Sequence, residues 1–488
     1  MNLGPSVRHV VAGKTCLTAA LWMSLGVISG CSVGPDYRRP ELPIPAQYKE
    51  QTTPTIGWKH AMPNDAVDRG HWWTIFQDPF LDQLEEQVVL SNQNLAEYAA
   101  AYEQALAVAA EARSAFAPTL SLHATQNTIS PPYAVQSATK KDTLGGHSAM
   151  LQLSWDLDIW GKVRRQVESN KAAAEASGDQ LAAARLSAQS ELATNYFQLR
   201  YEDALGRLLA DTVSAYQRAL SITRRQYNVG TATRSDVLAA EVQLQTTEAQ
   251  RLTVGINRAK HEHAIALLIG RAPADLTIPV GSLMATPPEI PSSVPSALLE
   301  RRPDIAQAER QMQQQNALIG VAVAAYYPDI SLSGLFGYTG TAGLVQASNQ
   351  LWAIGASGTA LLFDGGGRTA KVRAAHANYD QSVAHYKNTV LTAFQSVEDA
   401  LSSIRILDQQ RRAAELALSS SRHSVDIALR EYQVGTVAYT AVVSAQGANL
   451  TNEQTVLQVK VNQLTERVAL VKALGGGWNN TPPAPPTP

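Results

Sequence analysis

Long runs of apolar residues at helical spacing dominate the chain. Between Gly367 and Thr436, large apolar side chains recur in steps of three or four residues, which places them on one side of an α-helix. They are Tyr379, Val383, Tyr386, Val390, Phe394, Val397, Leu401 and Ile404. No proline interrupts the pattern, and such a helix would be about 100 Å long at 1.5 Å per residue. No compact domain has a core that deep, so we expect it to lie along other helices in a coiled coil or a helical tube.

The same unit occurs twice in the chain. A second long helical pattern starts near Gly161 and ends in a similar turn, and two further short motifs are repeated in the same order. The repeated motifs are 227–231 (Tyr-Asn-Val-Gly-Thr) with 432–436 (Tyr-Gln-Val-Gly-Thr), 202–205 with 398–401 (both Glu-Asp-Ala-Leu), and 116–118 (Phe-Ala-Pro) with 326–328 (Tyr-Tyr-Pro). Three matches at offsets of 205, 196 and 210 residues indicate a tandem duplication.

The beginning of the chain has the pattern of a bacterial lipoprotein export signal. Arg8 and Lys14 precede an apolar run over residues 17–28, and residues 28–31 (Ile-Ser-Gly-Cys) resemble a lipobox. Cleavage before Cys31, with N-acyl and S-diacylglycerol groups added to it, would leave an exported protein anchored to lipid. An ordinary signal peptide with a fortuitous cysteine is the alternative.

Short strand patterns separate the helical segments. Residues 151–159 alternate strictly between five apolar residues (Leu151, Leu153, Trp155, Leu157 and Ile159) and four polar ones. Nine residues are about the length that crosses a bilayer as a tilted strand, with the apolar face toward lipid and the polar face toward a wet lumen. A half-buried strand of a soluble sheet has the same alternation. Partner strands are predicted at 119–125, 330–338 and 352–363, with an exposed loop at 130–146.

Each half of the chain therefore supplies one hairpin, giving four strands. Closed barrels start at about eight strands, and an open sheet would expose unpaired edges to lipid. If these strands lie in a membrane, several copies of the chain must share one barrel.

The remaining elements follow the same duplicated plan. A shorter helix precedes each hairpin (84–116 and 298–326), and a return helix follows each long one (237–269 and 442–474). Gly161, Gly366 and Gly367 mark sharp turns from strand to long helix. The predicted domains are a signal peptide (1–30), an extended segment from the lipid anchor (31–80), the first repeat (81–270), a proline-rich linker (271–297), the second repeat (298–475) and a disordered proline-rich tail (476–488). The paired tryptophans Trp72 and Trp73 are interpreted as a packing anchor.

Composition and motifs favour no enzyme, metal or cofactor. A net charge of −2 and a pI near 6.6 give no reason to expect nucleic acid as a partner. His261-Glu262-His263 is not a zinc motif, because its two histidines do not share a helix face. The sequence also has no Gly-x-Ser-x-Gly elbow and no cysteine-rich metal spacing.

These residues resemble the outer membrane factor family, the TolC-like exit ducts of Gram-negative efflux systems, and most closely its NodT-like lipoprotein branch. The similarity covers nearly the whole mature chain. The matching segments are Cys31 with 34–37 (Gly-Pro-Asp-Tyr) and Pro40; Trp72-Trp73 with Phe76, Asp78 and Pro79; 299–305 (Leu-Glu-Arg-Arg-Pro-Asp-Ile) with Ala308 and Glu309; both Tyr-x-x-Gly-Thr turns; and 473–476 (Ala-Leu-Gly-Gly).

The resemblance implies a mainly α protomer with a small β part that forms a homotrimer. Three chains would make a twelve-stranded β-barrel in outer membrane lipid and a twelve-helix tunnel through the periplasm. The duct would pass small molecules, such as drugs or toxic compounds, from an inner-membrane pump of the proton-driven RND type to the outside. A periplasmic adaptor (membrane fusion protein) would dock at the helix turns, on Tyr227, Gly230, Thr231, Asp236, Tyr432, Gly435 and Thr436.

One departure from the family pattern concerns the periplasmic tip. This branch often carries Leu-Asp-Ala-Gln-Arg, whose Asp and Arg help to hold the tip shut, where this chain has 443–447 (Val-Ser-Ala-Gln-Gly). Both charges are missing, at Ser444 and Gly447. We therefore expect tip closure to depend on packing around Thr440 and Val443 and to be less sensitive to salt.

Two other functions fit part of the pattern. A type I protein-secretion outer membrane channel, with an ATP-driven partner, shares the fold. A periplasmic coiled-coil lipoprotein that never inserts in the membrane, such as an adaptor or a scaffold, would also have long helices and a lipid anchor. The lipobox and the Gly-Pro-Asp-Tyr start favour small-molecule efflux.

Overall fold

The computed structural model describes residues 32–41, 48–50, 71–129, 144–284, 286–288, 302–340 and 349–476. Two short 3₁₀ turns lie at Trp72–Phe76 and Pro273–Asp275. The other elements are α1 Pro79–Ser91, α2 Gln93–Ser114, β1 Thr119–Ile129, β2 Leu144–Leu157, α3 Lys162–Asn228, α4 Arg234–Leu268, α5 Pro303–Ala324, β3 Asp329–Gly340, β4 Gln350–Thr359, α6 Gly367–Gln433 and α7 Tyr439–Ala473. The predicted duplication of helix, hairpin, long helix and return helix is confirmed by this order.

The long helices α3 and α6 have 67 residues each, and the return helices α4 and α7 have 35 each. Their predicted positions are confirmed to within a few residues at either end. Nowhere in the described part of the chain is a helix both long and apolar enough to span a membrane.

The helix predicted over 84–116 is wrong in one respect, because it is two helices that meet at Asn92. The backbone of Asn92 is extended (φ −67°, ψ 119°). Its side-chain Oδ1 accepts a hydrogen bond from the Leu95 amide (3.1 Å), and its Nδ2 donates to the Leu268 carbonyl (2.7 Å). An asparagine that bonds nearby backbone groups competes with the helical ladder, so this residue ends α1 and caps α2.

The long helices and the return helices end in the same way. Gly230 and Gly435 have φ values of +81° and +79°, which favour glycine. Thr231 N–H donates to Gln226 O (2.8 Å) and Thr436 N–H to Glu431 O (2.9 Å), the six-residue closure of a Schellman motif. The return helices end likewise at Gly270 and Gly475.

The chain divides into two compact units. The first comprises 1–41, 102–177 and 308–386 and contains the whole sheet. The four strands are antiparallel in the order β1-β2-β3-β4. Leu120, Leu153, Gly334 and Ile354 lie side by side across the sheet, as do Leu122, Leu151, Phe336 and Trp352. One face is therefore apolar, while serines, threonines, Gln152 and Asp156 lie on the other.

Three strand predictions need correction. The strand predicted over 151–159 ends at Leu157, so Ile159 lies outside it. The strand expected at 352–363 ends at Thr359, which pairs with Asp329, the first residue of β3. Residues 360–363 extend beyond the start of β3, so β3 offers them no partner residues. Residues 144–146, which were expected in the exposed loop, belong to β2. They pair with 127–129 because β1 is four residues longer than predicted.

The second unit comprises 42–101, 178–307 and 387–488. Its largest hydrophobic cluster packs Trp72, Trp73 and Phe76 against helices α1, α3, α4 and α7. Phe76 and Phe197 have ring centroids 4.8 Å apart. The paired tryptophans are 4% and 2% exposed, which confirms their prediction as a packing anchor.

Candidate functional site

A hydrophobic cluster in the second unit, which we call the tip cluster, joins the residues next to the two Val-Gly-Thr turns. Its buried members are Val213, Tyr216, Leu220, Val237, Ala240, Leu244, Ala428, Tyr439 and Val442. The phenol of Tyr432 donates to Gln226 Oε1 (3.1 Å) and its ring lies 5.2 Å from that of Tyr439. Burial raises the pKa of both tyrosines. The two turns of the duplicated chain are thus held together by contacts between α3, α4, α6 and α7.

The predicted tip residues are mostly accessible. Tyr227, Gly230, Thr231, Gly435 and Thr436 are exposed, and Tyr432 is half-buried. The apolar residues before the turn glycines, Val229 and Val434, are each 75% exposed. The two turns, which have the same backbone conformation, therefore present a small apolar surface that is available for contact with another protein.

Asp236, another predicted contact residue, has a local structural role. Its carboxylate accepts hydrogen bonds from the Thr233 amide and hydroxyl (both 2.8 Å), and the Asp236 amide donates to Thr233 Oγ1 (3.2 Å). This is a capping box at the start of α4. The spacing Thr-x-x-Asp in the sequence could have shown it.

The residues expected at the closure differ in their surroundings. Val443 packs against the tip cluster, whereas Thr440 is exposed in the single chain. Sequence reasoning missed Tyr439 and Val442, which are 5% and 0% exposed. An ion pair links α3 to α4 near the turn, between Arg224 and Glu241 (2.6 Å).

A groove of about 680 Å³ runs between the return helices α4 and α7, beside the tip cluster. Its lining combines apolar, amide and hydroxyl side chains, and includes Leu238, Val242, Gln243, Thr247, Leu450 and Thr451. Gly447, where the family pattern has arginine, also lines it, and space is open around its Cα.

In the first unit, residues 32–41 form a strap over the helices. Tyr37 Oη donates to Glu309 Oε1 (3.2 Å), Arg39 pairs with Glu309 Oε2 (2.9 Å), and Asn316 Nδ2 donates to Pro35 O (2.9 Å). Burial, followed by the charge of Glu309, raises the pKa of Tyr37. Two segments that carry the family resemblance, Gly-Pro-Asp-Tyr and Ala-Glu, therefore contact each other.

The second unit contains a buried charge cluster, which we call the linker clamp. Asp203 accepts hydrogen bonds from Arg258 Nε (2.7 Å), Arg200 Nη1 (3.1 Å) and the Gly281 amide (2.9 Å). The same two arginines donate to carbonyl groups of the linker, Arg258 to Ile278 (2.6 Å) and Arg200 to Pro279 (2.8 Å). The proline-rich linker is thus fixed to helices α3 and α4.

The second copy of the Glu-Asp-Ala-Leu motif fixes a different segment with a different acid. Glu398 accepts hydrogen bonds from the amides of Lys49 (2.7 Å) and Glu50 (3.0 Å), and Arg405 pairs with Glu50 (2.6 Å). Both copies of the motif thus lie where extended chain is held on a long helix.

Of the three glycines predicted at the strand-to-helix turns, Gly161 lies at a close backbone approach, whereas a Cβ at Gly366 would meet no atom within 4 Å. Gly161 has φ +82°, and a Cβ there would lie 2.9 Å from Ser32 Cα. Gly366 has φ +93°, and Gly367 is the first residue of α6. Asp158 and Asp364 accept hydrogen bonds from the first amides of α3 and α6, at 2.8 Å each to Val163 and Arg368.

Some predicted features lie outside the described residues. These are Cys31 and the signal peptide, residues 42–47 and 51–70 of the extended segment, residues 130–143 of the loop, parts of the linker, the start of the helix predicted over 298–326, and the tail from residue 477 onward. Within the described ranges, no three His, Cys, Asp or Glu side chains are placed to share a metal ion.

Comparisons with known proteins place this geometry in a family. Residues 84–271 and 294–476 match the family described as outer membrane efflux protein. The chain is 28% identical to the toluene efflux pump outer membrane protein TtgC of Pseudomonas putida, over 93% of this chain and 94% of TtgC. It is also 28% identical to the probable outer membrane lipoprotein SilC of Salmonella typhimurium, over 93% and 97%. The solved structure of the outer-membrane channel OprN superposes with a TM-score of 0.82 at 29% identity, covering 92% of this chain and all of OprN.

Both matched segments coincide with the two repeats, and the matched structure is a channel of the same mainly helical fold with few strands. The functions in this family are those of efflux channels at the outer membrane. The chain therefore belongs to the outer membrane efflux protein family, as an outer membrane channel component of an efflux system.

Proposed function

We propose that three copies of this chain form the outer-membrane exit duct of a tripartite efflux system. The observation that carries this proposal is the four-stranded sheet of the first unit. Its apolar face is exposed, with Ile354 at 84% and Trp352 at 68%, and β1 and β4 each pair on one side only among the described strands. Two copies would supply eight strands and three would supply twelve, and both numbers close barrels. We favour three, the number that the family resemblance implies.

The proposed partners follow from the tip. A periplasmic adaptor docks on the exposed turns and in the groove between α4 and α7. An inner-membrane pump of the RND type supplies the energy, and this chain couples none. By analogy with TtgC, which is named a toluene efflux component, the cargo consists of small toxic molecules. Acylation of Cys31 anchors the strap to the membrane, as the name of SilC as a lipoprotein supports.

A disulfide scan across the two edge strands tests the shared barrel. Ser121 on β1 and Ala353 on β4 lie level with each other on the polar face, about 14 Å apart at three strand spacings. Gly355, Ser357 and Thr359 lie farther from Ser121 still, so none of these pairs can form a disulfide within one chain. The mature chain has Cys31 as its only cysteine. With cysteine at Ser121 and a second cysteine placed in turn at Ala353, Gly355, Ser357 and Thr359, we expect at least one pair to give a covalent trimer under oxidation.

The control for this scan is Ser154→Cys with Ser333→Cys, two residues that pair within one chain and should give a crosslinked monomer. Single-cysteine variants should give no covalent ring. A ladder that ends at the dimer would contradict the number three. Monomers for all four edge pairs, in a protein that inserts in outer membrane vesicles, would contradict the shared barrel.

Closure of the tip is expected to depend little on salt. Raising the ionic strength from 0.15 M to 1 M shortens the Debye length from about 8 Å to about 3 Å. With Ser444 and Gly447 uncharged, the pair Arg224–Glu241 is the ion pair found near the turns in the described structure, and an exposed pair contributes about 0–1 kcal/mol. Single-channel recordings should therefore show an open probability that changes by about fivefold or less across this series.

The matched control restores the missing charges with Ser444→Asp and Gly447→Arg. Both positions are exposed, and a Cβ at Gly447 meets no atom within 4 Å. This variant should open more readily as salt rises. Strong salt dependence of the unmodified channel would contradict closure by packing around Val443 and Thr440.

A further inference from the structure

The apolar face of the sheet is interrupted by a groove at Gly334. The groove has a volume of about 540 Å³ and is lined mainly by Leu120, Leu153, Leu332, Phe336, Trp352 and Ile354. Gly334 lies in register between Leu153 on β2 and Ile354 on β4. A row of large apolar side chains therefore has one gap, in the middle of the face that the barrel would turn toward lipid.

Neither backbone geometry nor space requires a glycine at this position. Gly334 does not have a positive φ, and an added Cβ would meet Leu153 at 3.5 Å, an ordinary van der Waals contact. Gly337, on the opposite face, differs, because a Cβ there would collide with the backbone of Ala149 and Met150. Glycine inside a strand lowers the stability of the strand. What Gly334 provides, and alanine or leucine would fill, is the open groove.

The first described residues of the chain lie at the base of the same sheet. Val33 N–H donates to the Trp160 carbonyl (3.1 Å), three residues after the end of β2, and Ser32 contacts Gly161. Cys31 directly precedes Ser32 in the sequence. The contact of Ser32 lies at Gly161, four residues beyond Leu157 at the end of β2. The nearer edge of the groove, Leu332, lies level with Trp155, about 7 Å of strand from Leu157, and an acyl chain spans one leaflet, about half of a 30 Å hydrocarbon core. A lipid on Cys31 can therefore reach the groove along the apolar face.

We propose that the groove at Gly334 binds one fatty acyl chain of the lipid carried by Cys31 of the same protein chain. The inference depends on the lipidation and membrane insertion proposed above. The acyl chain fills the gap in the apolar row and fixes the anchor to the barrel wall, instead of leaving it free in the surrounding lipid.

Photocrosslinking in the native membrane tests this assignment. A diazirine analogue of leucine replaces Leu153, which lines the groove, or Leu351, which lies on the opposite face and serves as the matched control. After irradiation and proteolysis, mass spectrometry follows the lipidated N-terminal peptide. We expect a crosslink from position 153 to an acyl chain on Cys31 and none from position 351.

The variant Gly334→Leu fills the groove and should lower the yield of this crosslink by about tenfold or more, because several methylenes of the acyl chain lose their contacts together. Gly334→Ala should have a smaller effect. Covalent trimers formed by the edge-strand cysteines should persist in both variants, which separates loss of the acyl contact from loss of assembly.

A crosslink to free phospholipid alone would overturn the proposal, because the groove would then hold surrounding membrane lipid. A lipidated N-terminal peptide without any crosslink at position 153 would also overturn it, while leaving the proposed function intact. An N-terminal peptide without lipid would refute the lipidation of Cys31 and this inference together, whereas the trimer assay would still report on the barrel.

Discussion

Replacement of Asp203 by alanine is expected to lower the free energy of unfolding by about 3–5 kcal/mol, because it leaves the buried Arg200 without its anion. Arg258 keeps one carboxylate partner, Glu262 (3.2 Å). The carboxylate is 1% exposed and contacts both Arg200 and Arg258, so solvent screens this cluster little. The Gly281 amide would also lose its acceptor. Since the arginines fix the linker through the carbonyls of Ile278 and Pro279, the linker should loosen before the helices do.

Urea unfolding of the detergent-purified protein measures this effect. Tryptophan fluorescence is a suitable signal, because Trp72 and Trp73 lie in the main hydrophobic cluster of the same unit. Asp211→Ala is the matched control, since Asp211 is exposed on the same helix α3 and such a change usually costs about 0.5 kcal/mol or less. Asp203→Asn, which keeps one acceptor oxygen, should fall between the two. Equal unfolding curves for the variants at 203 and 211 would contradict a stabilising role for the linker clamp.

The helices, the turns and the strands were predictable because each depends on residues close together in sequence. A stripe with helical spacing persists over the length of α6, and the turn glycine Gly435 stops it through its own backbone conformation. The duplication strengthened every such assignment, because an element seen in one half was expected in the other. The apolar face of the sheet followed from alternation alone.

The features that were missed depend on contacts between distant parts of the chain. The break at Asn92 is stabilised by the Leu268 carbonyl, 176 residues away. The linker clamp joins Asp203 to Gly281, and no local pattern pairs them. Strand β4 ends where its partner β3 begins, which its own composition does not show. The two copies of Glu-Asp-Ala-Leu give a further example. Their sequences are identical, but the aspartate holds a chain segment in the first copy and the glutamate does so in the second, which the motif alone does not indicate.

Glu85 is a further feature that lies on an apolar helix face. It falls with Leu81, Leu84 and Val88 on the buried side of α1, and neither carboxyl oxygen has a hydrogen-bond partner within the described structure. Burial, and then the nearby Asp82, raise the pKa of Glu85 well above its ordinary value of 4.5. Asp82 in turn lies near Asp78, Glu86 and His71. The folded protein therefore holds a proton on Glu85 at a pH where the unfolded chain has released it.

This proton gives stability a defined pH dependence. Below about pH 4.5 the carboxyl is neutral in both states, and Glu85 contributes no slope. Above that pH the unfolded chain binds fewer protons than the folded one, so the free energy of unfolding falls by up to about 1.4 kcal/mol per pH unit. The fall stops at the raised folded-state pKa, where the folded protein also ionises. Acidification from neutral pH toward 4.5 is thus expected to stabilise this unit through Glu85, opposite to the effect of the paired carboxylates.

Glu85→Gln isolates this contribution, because glutamine has nearly the same shape and no charge at any pH. The unfolding free energy of the variant, minus that of the unmodified protein, should increase as pH rises from 5 to 7 in urea titrations. Glu86→Gln is the matched control, since Glu86 is the exposed neighbour on the same helix, and its difference curve should rise much less than that of Glu85→Gln. Burial of the glutamine amide has a cost that does not depend on pH, so it shifts the whole Glu85→Gln difference curve and leaves the slope of that curve unchanged. Parallel pH profiles for the unmodified protein and Glu85→Gln would therefore mean that Glu85 binds its proton equally in the folded and unfolded states, which would contradict a neutral buried carboxyl at pH 7.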